Sequence, residues 1–251
     1  MSGDFELFDS HFHIIDPRFP LLENRGYLPQ SYTVADYRAR TEAYRLCGGA
    51  VVSGSFQGFD QSYLESALRQ LGPGFVGVTQ LPHGTADAEI ERLHGLGVRA
   101  VRFNLRRGGS ESVRHLTSMA QRIDAVAGWH VELYVDATTL VELRDVLSTL
   151  PAVSIDHLGL SGAGLATLLS LAEGGVRVKA CGFGRVDFDV RQALAELYAA
   201  NPECLMFGTD LPCTRAPRPY SDDDFALVID TLGAAAARRV FSENALAFYR
   251  P

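Results

Sequence analysis

Short apolar runs recur along this chain, and longer amphipathic segments separate them. Eight runs are rich in β-branched and aromatic residues and predict strands over residues 5–11, 49–53, 75–80, 98–104, 129–135, 153–157, 176–181 and 204–208. Between them, residues 62–71, 86–94, 112–127, 139–150 and 190–200 have apolar positions at helical spacing. Strands that alternate with helices in this way favour βα units around a parallel sheet.

The number of runs indicates a particular parallel fold. Eight βα units make a TIM barrel, and a chain of 251 residues has the usual length for one. A doubly wound sheet would produce the same alternation, but no G-x-G-x-x-G follows the first run and no G-x-x-x-x-G-K-[ST] occurs anywhere. We therefore expect one domain over residues 1–251, a (β/α)8 barrel with a short C-terminal helical extension.

The first run carries the motif Asp-Ser-His-Phe-His at residues 9–13. On a regular strand, alternate side chains share a face, so we expect Asp9, His11 and His13 on one face and their neighbours on the other. Two imidazoles placed this closely can bind a divalent metal or polarise a substrate oxygen. A single strand histidine, in contrast, is more often a hydrogen-bonded core residue.

Polar residues recur near the ends of the later runs, where TIM barrels carry their catalytic groups. Alternation points Arg102 and Asn104 inward in the fourth run and Tyr134 inward in the fifth. A buried arginine requires an anion, which makes Arg102 and Asn104 candidate substrate-binding residues. His157 and Asp210 follow the sixth and eighth runs, and each alone could be purely structural. Their convergence at one barrel end predicts a site.

The seventh run adds candidates near the same end. Alternation points Lys179 and Cys181 inward, and Arg185 follows shortly after. Arg185 could form a weak surface ion pair or help Arg102 to hold a carboxylate. The Pro- and Arg-rich stretch 215–220 is predicted to be a loop over the site.

Composition narrows the class of protein. The chain is 47% hydrophobic and 21% charged, which is typical of a globular protein. Its net charge of -7 argues against general nucleic-acid binding, so an anionic ligand must meet a local cationic patch. The four cysteines form no C-x-x-C pair, which favours free thiols over a zinc ribbon or a thioredoxin-type motif.

Location and partners are inferred from what the chain lacks. The first residues have neither the basic nor the apolar region of a signal peptide, and no apolar run is long enough to cross a bilayer. We expect a cytoplasmic monomer or homodimer that acts on a small anionic substrate, with no membrane or nucleic-acid partner.

Five segments in chain order resemble the amidohydrolase superfamily. They lie at residues 9–13, 97–104, 155–159, 178–182 together with Arg185, and 207–212. Within the superfamily they look like the amidohydrolase-related TIM-barrel hydrolases, a branch that includes the 2-pyrone-4,6-dicarboxylate lactonases. The resemblance spans essentially the whole chain. It implies a distorted barrel in which Asp210, after the last strand, activates the hydrolytic water.

The same resemblance suggests roles for the other candidates. His11 and His13 match the histidine pair of the first strand, and His157 matches the histidine after the sixth. Tyr134 looks like the lactonase tyrosine that contacts substrate. Arg102 and Arg185 look like the arginines that hold the substrate carboxylates.

Departures from the superfamily pattern bear on the metal and the substrate. Members with two metals bridge them with a carboxylated lysine from a middle strand, whereas this chain has Arg102 and Tyr134 at the fourth- and fifth-strand positions, which argues against a binuclear centre. Many relatives carry Trp and His around the proline of the last motif, where this chain has Leu211 and Cys213. The lactonase branch works without bound metal.

The leading hypothesis is hydrolysis of a small carboxylated lactone, such as 2-pyrone-4,6-dicarboxylate, in the catabolism of aromatic compounds. Asp210 would be the general base and no cofactor would be required. The oxyanion would be stabilised by His11, His13, His157 and Tyr134.

Two other hypotheses remain open. In the first, one Zn²⁺ or Mn²⁺ is held by His11, His13 and Asp210, with His157 as a further candidate ligand, for hydrolysis or nonoxidative decarboxylation of a carboxylic acid. In the second, the barrel has lost catalysis and only binds a ligand. A serine hydrolase is disfavoured because the chain has no G-x-S-x-G elbow.

Overall fold

Eight parallel strands pair in chain order around the core of the protein. The computed structural model describes residues 4–251. The strands are β1 Glu6–Phe12, β2 Arg45–Val52, β3 Phe75–Thr79, β4 Val98–Asn104, β5 His130–Tyr134, β6 Val153–Ile155, β7 Arg177–Ala180 and β8 Leu205–Phe207. Each overlaps a predicted run, and the (β/α)8 barrel is confirmed.

The two edges of the sheet meet just beyond β1 and β8. The backbone N–H of Asp210 donates to the carbonyl of His11, and the N–H of His13 donates to the carbonyl of Leu211, each at 2.7 Å. The barrel is therefore nearly closed at the end where the strands finish. This closure brings residues that are about 200 positions apart in the chain into direct contact.

Helices cover the outside of the sheet. Within residues 4–251 they are α1 Val34–Thr41, α2 Ser62–Leu71, α3 Asp87–Gly95, α4 Leu116–Ala127, α5 Leu140–Leu147, α6 Leu165–Glu173, α7 Val190–Ala200, α8 Asp222–Arg238 and α9 Asn244–Tyr249. All five predicted helices are present, although 112–127 begins as a 3₁₀ turn and α5 ends at Leu147 rather than at 150. A π-helical segment, Arg239–Glu243, joins α8 to α9, which is the predicted C-terminal extension.

Apolar residues form two separate cores. The larger one lies between the sheet and the helices and includes Val131, Leu133 and Val178. The smaller one lies inside the barrel, where Phe8 stacks on Tyr249 of α9 at 5.4 Å between ring centroids. Because α9 packs inside the barrel near the beginnings of the strands, the opposite end remains for chemistry.

The predicted faces of β1 are wrong. The pairing of β1 with β2 shifts register between Asp9 and Phe12, so the regular alternation stops there. Phe12 stacks on Tyr37 of α1 at 3.9 Å, and Asp9 accepts a hydrogen bond from the Tyr37 hydroxyl at 3.1 Å. Asp9 thus lies on the α1 side of the strand, whereas the irregularity lets His11 and His13 both reach the site.

No helix within residues 4–251 combines the length and the apolar composition that crossing a bilayer requires. The expectation of no signal peptide concerns the extreme N-terminus, of which residues 1–3 lie outside the described part of the chain.

Candidate active site

Asp210 follows β8 closely, and its buried carboxylate lies where the edges of the sheet meet. Its Oδ2 accepts a hydrogen bond from Nε of Arg185 at 2.6 Å. Its Oδ1 lies 3.9 Å from Nε2 of His11 and 3.7 Å from Nε2 of His13, and no group within residues 4–251 donates to it. One oxygen is therefore held by an arginine, while the other is available to a bound molecule.

The ionised form of Asp210 is favoured despite its burial. Burial alone would raise the pKa of this carboxyl, but Arg185 and the nearby histidines bring it well below its usual value. Burial likewise opposes the charge on Arg185, yet the Asp210 carboxylate raises the pKa of Arg185 above the ordinary arginine value. The two side chains form an ion pair at neutral pH.

Two site residues adopt a left-handed backbone. The φ angles are +58° for Asp210 and +52° for His157, a region that costs an ordinary residue about 1 kcal/mol or more. Such strain in residues other than glycine concentrates at functional sites. Close packing at Gly208 adds to this constraint, because a Cβ there would lie 2.7 Å from the backbone nitrogen of His11.

The proton of His13 can be placed from its hydrogen bond. Its Nδ1 lies 2.7 Å from the carbonyl oxygen of Val52, which can only accept, so Nδ1 carries a proton. In the neutral ring Nε2 then presents a lone pair towards Oδ1 of Asp210. The expected role of His13 at the oxyanion stays a prediction, while its neutral ring would offer an acceptor at this position.

His11 has different neighbours. Its Nδ1 lies 3.3 Å from Nζ of Lys179, and Oδ1 of Asp156 lies at the same distance without forming a hydrogen bond. Burial lowers the pKa of His11 to about 3, with Asp156 opposing the shift. His11 is therefore neutral at pH 7, and its Nε2 is directed at Asp210.

His157 completes the group of three histidines. Its ring centroid is 4.8 Å from that of His11, and Tyr134 packs edge-on against it at 5.0 Å. Its Nδ1 lies 3.1 Å from Sγ of Cys181. Burial lowers the pKa of His157 well below the usual histidine value, so this ring is also neutral.

A buried charged network supports these side chains from inside the barrel. Arg102 donates from Nε and Nη2 to Oδ2 of Asp156 at 3.0 and 2.7 Å, and from Nη1 to the carbonyl of Ser53. Lys179 donates to Glu132, which also accepts from the hydroxyl of Tyr249. Inside the barrel, the cations Arg102, Lys179 and Arg185 balance the carboxylates Glu132, Asp156 and Asp210.

Asp210 lines a pocket at this end of the barrel. Seven of the eight predicted site residues line it: His13, Arg102, Asn104, Tyr134, His157, Arg185 and Asp210. His11 lies directly beneath, completely buried. The residues that the sequence placed together are thus close in space, and their roles remain predictions.

The pocket also contains residues that are not among the eight predicted site residues, although Arg215 belongs to the loop predicted to lie over the site. They are Gly54, Ser55, Phe56, Arg107, Thr214 and Arg215. Arg215 stacks on Tyr27 at 4.4 Å and donates to Ser55 at 3.0 Å, whereas the guanidinium of Arg107 has no hydrogen-bond or ion-pair partner within residues 4–251. Arg107 has an adjacent arginine in the sequence, and one of two adjacent arginines usually faces solvent. Here that neighbour, Arg106, is the exposed one.

The amidohydrolase resemblance raises the question of a divalent metal. Atoms of His11, His157 and Asp210 lie within 4.8 Å of one another, close enough for one ion. If Nδ1 of His11 accepts from Lys179, its Nε2 carries the proton and offers no lone pair to an ion. Asp210 is already paired with Arg185. Nε2 of His13, in contrast, has its lone pair towards Oδ1 of Asp210 in the neutral ring, so these two atoms are the acceptors that a divalent ion would use.

Comparison with known families agrees with the fold and the order of the motifs. The sequence profile of the amidohydrolase family matches residues 8–250. This chain belongs to the amidohydrolase family. Because the match covers nearly the whole chain, the pocket and all eight predicted residues lie within the amidohydrolase domain.

Three relatives of this amidohydrolase illustrate its similarity. A 2-pyrone-4,6-dicarboxylate hydrolase from Comamonas testosteroni is 34% identical over 156 residues, which cover 60% of this chain and 51% of that protein. The chain thus spans about half the length of this curated relative. A solved Pseudomonas putida structure, provisionally named 2-pyrone-4,6-dicarboxylic acid hydrolase, is 28% identical, with a TM-score of 0.82 over 97% of both chains. A ligand-free structure from Agrobacterium tumefaciens shares the fold, with a TM-score of 0.86 and 22% sequence identity. The alignment covers 100% of this chain and 97% of the Agrobacterium chain.

Proposed function

We propose that this protein hydrolyses a small lactone that carries carboxylates, with Asp210 as the general base and without a metal. The observation that carries the proposal is the unpaired Oδ1 of Asp210, which lies beside His11, His13 and His157. A carboxylate held ionised by Arg185 and open on one side can accept a proton from water. The relatives named as 2-pyrone-4,6-dicarboxylate hydrolases support the same reaction class.

The charge of the pocket supports an anionic substrate. Arg107, Arg185 and Arg215 line it, whereas Asp210 is the only carboxylate among the lining residues. Arg107 is free to form a forked hydrogen-bond pair with a substrate carboxylate. Arg102 lines the pocket too, but its donors are directed at Asp156 and Ser53. We therefore assign substrate binding chiefly to Arg107, with Arg215 and Arg185 beside it.

The histidines have different roles around the reacting carbonyl. Oδ1 of Asp210 and Nε2 of His13 are two acceptors 3.7 Å apart, so a water between them can donate one hydrogen to each. The water oxygen attacks the lactone carbonyl carbon while Asp210 takes a proton. The resulting oxyanion accepts hydrogen bonds from His11, His157 and Tyr134. Collapse breaks the ring C–O bond, and the leaving oxygen takes up the proton from Asp210.

A metal-dependent hydrolase or decarboxylase is the second candidate, because His11, His157 and Asp210 are mutually close. Measurement of bound metal and of activity after chelation separates the two candidates. Retained activity in metal-free protein supports our proposal, whereas loss on chelation and recovery with Zn²⁺ or Mn²⁺ supports the second. Release of carbon dioxide would identify a decarboxylase.

The direct test is turnover of a panel of lactones by the purified full-length protein. The panel contains 2-pyrone-4,6-dicarboxylate, a monocarboxylated 2-pyrone and uncharged 2-pyrone, and ring opening is followed by ultraviolet absorbance. We expect kcat/KM to fall with each carboxylate removed. Binding without turnover across the panel would contradict the proposal and favour a ligand-binding barrel, as would equal turnover by an Asp210→Asn variant.

A further inference from the structure

A lysine on β7 and a cysteine directly after β7 each contact a ring nitrogen of a site histidine. Nζ of Lys179 is 3.3 Å from Nδ1 of His11, and Sγ of Cys181 is 3.1 Å from Nδ1 of His157. Lys179 belongs to β7, Cys181 follows its last residue, and both are fully buried. Their spacing of two residues puts them on the same inward face.

We propose that the β7 segment fixes the tautomers of both histidines, so that His11 and His157 carry their protons on Nε2 and present two N–H donors to one substrate oxygen. The inference rests on the proposed lactone hydrolysis, in which that oxygen becomes an oxyanion. Lys179 and Cys181 are positioning residues here, because they act through the histidines.

The argument for His11 follows from the chemistry of lysine. An ammonium group has three donors and no lone pair, so a hydrogen bond between Lys179 and Nδ1 requires Nδ1 to accept. Nζ of Lys179 also donates to Glu132 and lies 3.7 Å from Oδ1 of Asp156. The single proton of neutral His11 therefore lies on Nε2, the atom 3.9 Å from Asp210.

The argument for His157 follows from the thiol. Cys181 is buried and takes part in no disulfide, so its sulfur carries an S–H that can donate. Neutral imidazole is a better acceptor than a thiol sulfur, and Nδ1 of His157 is the side-chain partner of this thiol. Donation from sulfur to Nδ1 places the ring proton on Nε2. Nε2 is also the edge left to face the pocket that His157 lines.

His13 provides the contrast within the same site. Its Nδ1 donates to the carbonyl of Val52, so its Nε2 has the lone pair. The three rings thus provide two donors and one acceptor around Asp210. This division matches a reaction in which one water must be oriented and one oxyanion must be stabilised.

The tautomers can be read directly in the unliganded, full-length protein. Labelling with ¹⁵N-histidine and recording two-bond ¹H–¹⁵N correlations distinguish protonated from unprotonated ring nitrogens, and His11→Asn, His13→Asn and His157→Asn variants assign the signals. We expect Nε2–H rings for His11 and His157 and an Nδ1–H ring for His13. An Nδ1–H signal from either His11 or His157 would overturn the proposal.

Substitutions at Cys181 test whether its thiol fixes the tautomer of His157. In Cys181→Ala the preference of His157 for Nε2–H should weaken, with kcat lowered about tenfold or more and KM unchanged. Cys181→Ser keeps a donor and should retain the tautomer, with kcat within about threefold of the parent protein. It also provides the test if the alanine variant fails to fold. Cys204→Ala, another buried thiol remote from the pocket, serves as the matched control. An unchanged His157 signal in Cys181→Ala would refute the role of the thiol.

Failure of this inference can be told apart from failure of the proposed function. The nuclear magnetic resonance experiment needs no substrate, so it reports the tautomers whether or not the lactone panel is turned over. Nε2–H rings without lactone hydrolysis would leave the positioning role intact and refute only the reaction. Lactone hydrolysis with an Nδ1–H ring at His157 would support the reaction and refute the positioning role.

Discussion

Arg185 donates its Nε–H to Oδ2 of Asp210 at 2.6 Å, so the residue that we propose as the base is ion-paired in the free protein. The same guanidinium donates from Nη2 to the carbonyl of Thr214 at 2.9 Å and lines the pocket. Because a substrate carboxylate would compete with Asp210 for this arginine, binding of an anion and strength of the base are coupled.

Replacing Asp210 by Asn should nearly abolish turnover while leaving substrate binding intact. The amide cannot take a proton from water, and general-base catalysis is typically worth about 10²- to 10⁴-fold. We expect kcat to fall about a thousandfold and KM to change by less than about threefold. The measurement is steady-state kinetics beside Asp230→Asn, an exposed carboxylate far from the pocket. Normal kcat in Asp210→Asn would remove Asp210 from the mechanism.

Replacing Arg107 by Met should weaken the binding of carboxylated substrates only. Its guanidinium lines the pocket without a protein partner, and a hydrogen bond to a charged group contributes about 1.5–3 kcal/mol. We expect KM for a dicarboxylated lactone to rise about tenfold or more. Arg106→Met is the matched control, because Arg106 is the adjacent exposed arginine. Equal effects of the two substitutions, or an equal effect on an uncharged lactone, would argue against a carboxylate subsite at Arg107.

Replacing Gly208 by Ala should destabilise the protein and disturb His11. The added methyl group would lie 2.7 Å from the backbone nitrogen of His11 and 2.9 Å from its Cβ, so β1 must move. Overpacking of this kind costs about 1–3 kcal/mol, which lowers Tm by about 2–4 °C for each kcal/mol in a protein of this size. Gly84→Ala is the control, because a Cβ there meets nothing within 4 Å. Calorimetry showing the same Tm for both variants would contradict the close approach of β8 to His11.

Glu111 should stabilise the protein at neutral pH and cease to do so in acid. Its Oε2 accepts from the N–H of His83 at 2.7 Å and its Oε1 from the N–H of Ser112 at 2.6 Å, and these bonds lower the pKa of Glu111 to about 2. A folded-state pKa below the unfolded value means stability that is present above pH 4.5 and lost as the pH falls through 2.

The variant that checks this is Glu111→Gln. Because Glu111 is partly exposed, we expect a cost below about 1 kcal/mol and a Tm about 2 °C lower at pH 7. The difference from the parent protein should disappear near pH 2. Exposed Glu173→Gln should show neither effect. A Tm difference for Glu111→Gln that stays constant from pH 7 to pH 2 would contradict the prediction.

The apolar runs were enough to predict the barrel. Each strand is buried on both faces, so its sequence is apolar over several consecutive residues. The register shift in β1 left no such pattern. A bulge depends on how β2 and β8 pair with β1, so the sequence of residues 9–13 alone could not show that Asp9 faces α1. The helices α1, α6 and α8 were not among the predicted helices.

Within the site, the residues at strand ends were predictable, whereas those on loops were not. Asp210, Tyr134 and Arg102 follow from alternation, which fixes direction once the strand is known. Arg107 and Arg215 lie on loops, where no period relates position to direction. The side chains that contact Nδ1 of His11 and of His157 could not be predicted either. They come from β7 and its end, more than 20 positions away along the chain.

The arginines at the pocket have a consequence for the end of the catalytic cycle. Hydrolysis of a lactone turns an ester into an acid, so the product leaves with one more negative charge than the substrate had on arrival. Arg107, Arg185 and Arg215 should therefore retain the product more strongly than the substrate, and product escape should slow turnover in addition to ring opening. Added salt, which screens this attraction, should raise kcat while it lowers kcat/KM. The positive charge that makes the pocket selective for anions thus slows the release of the product.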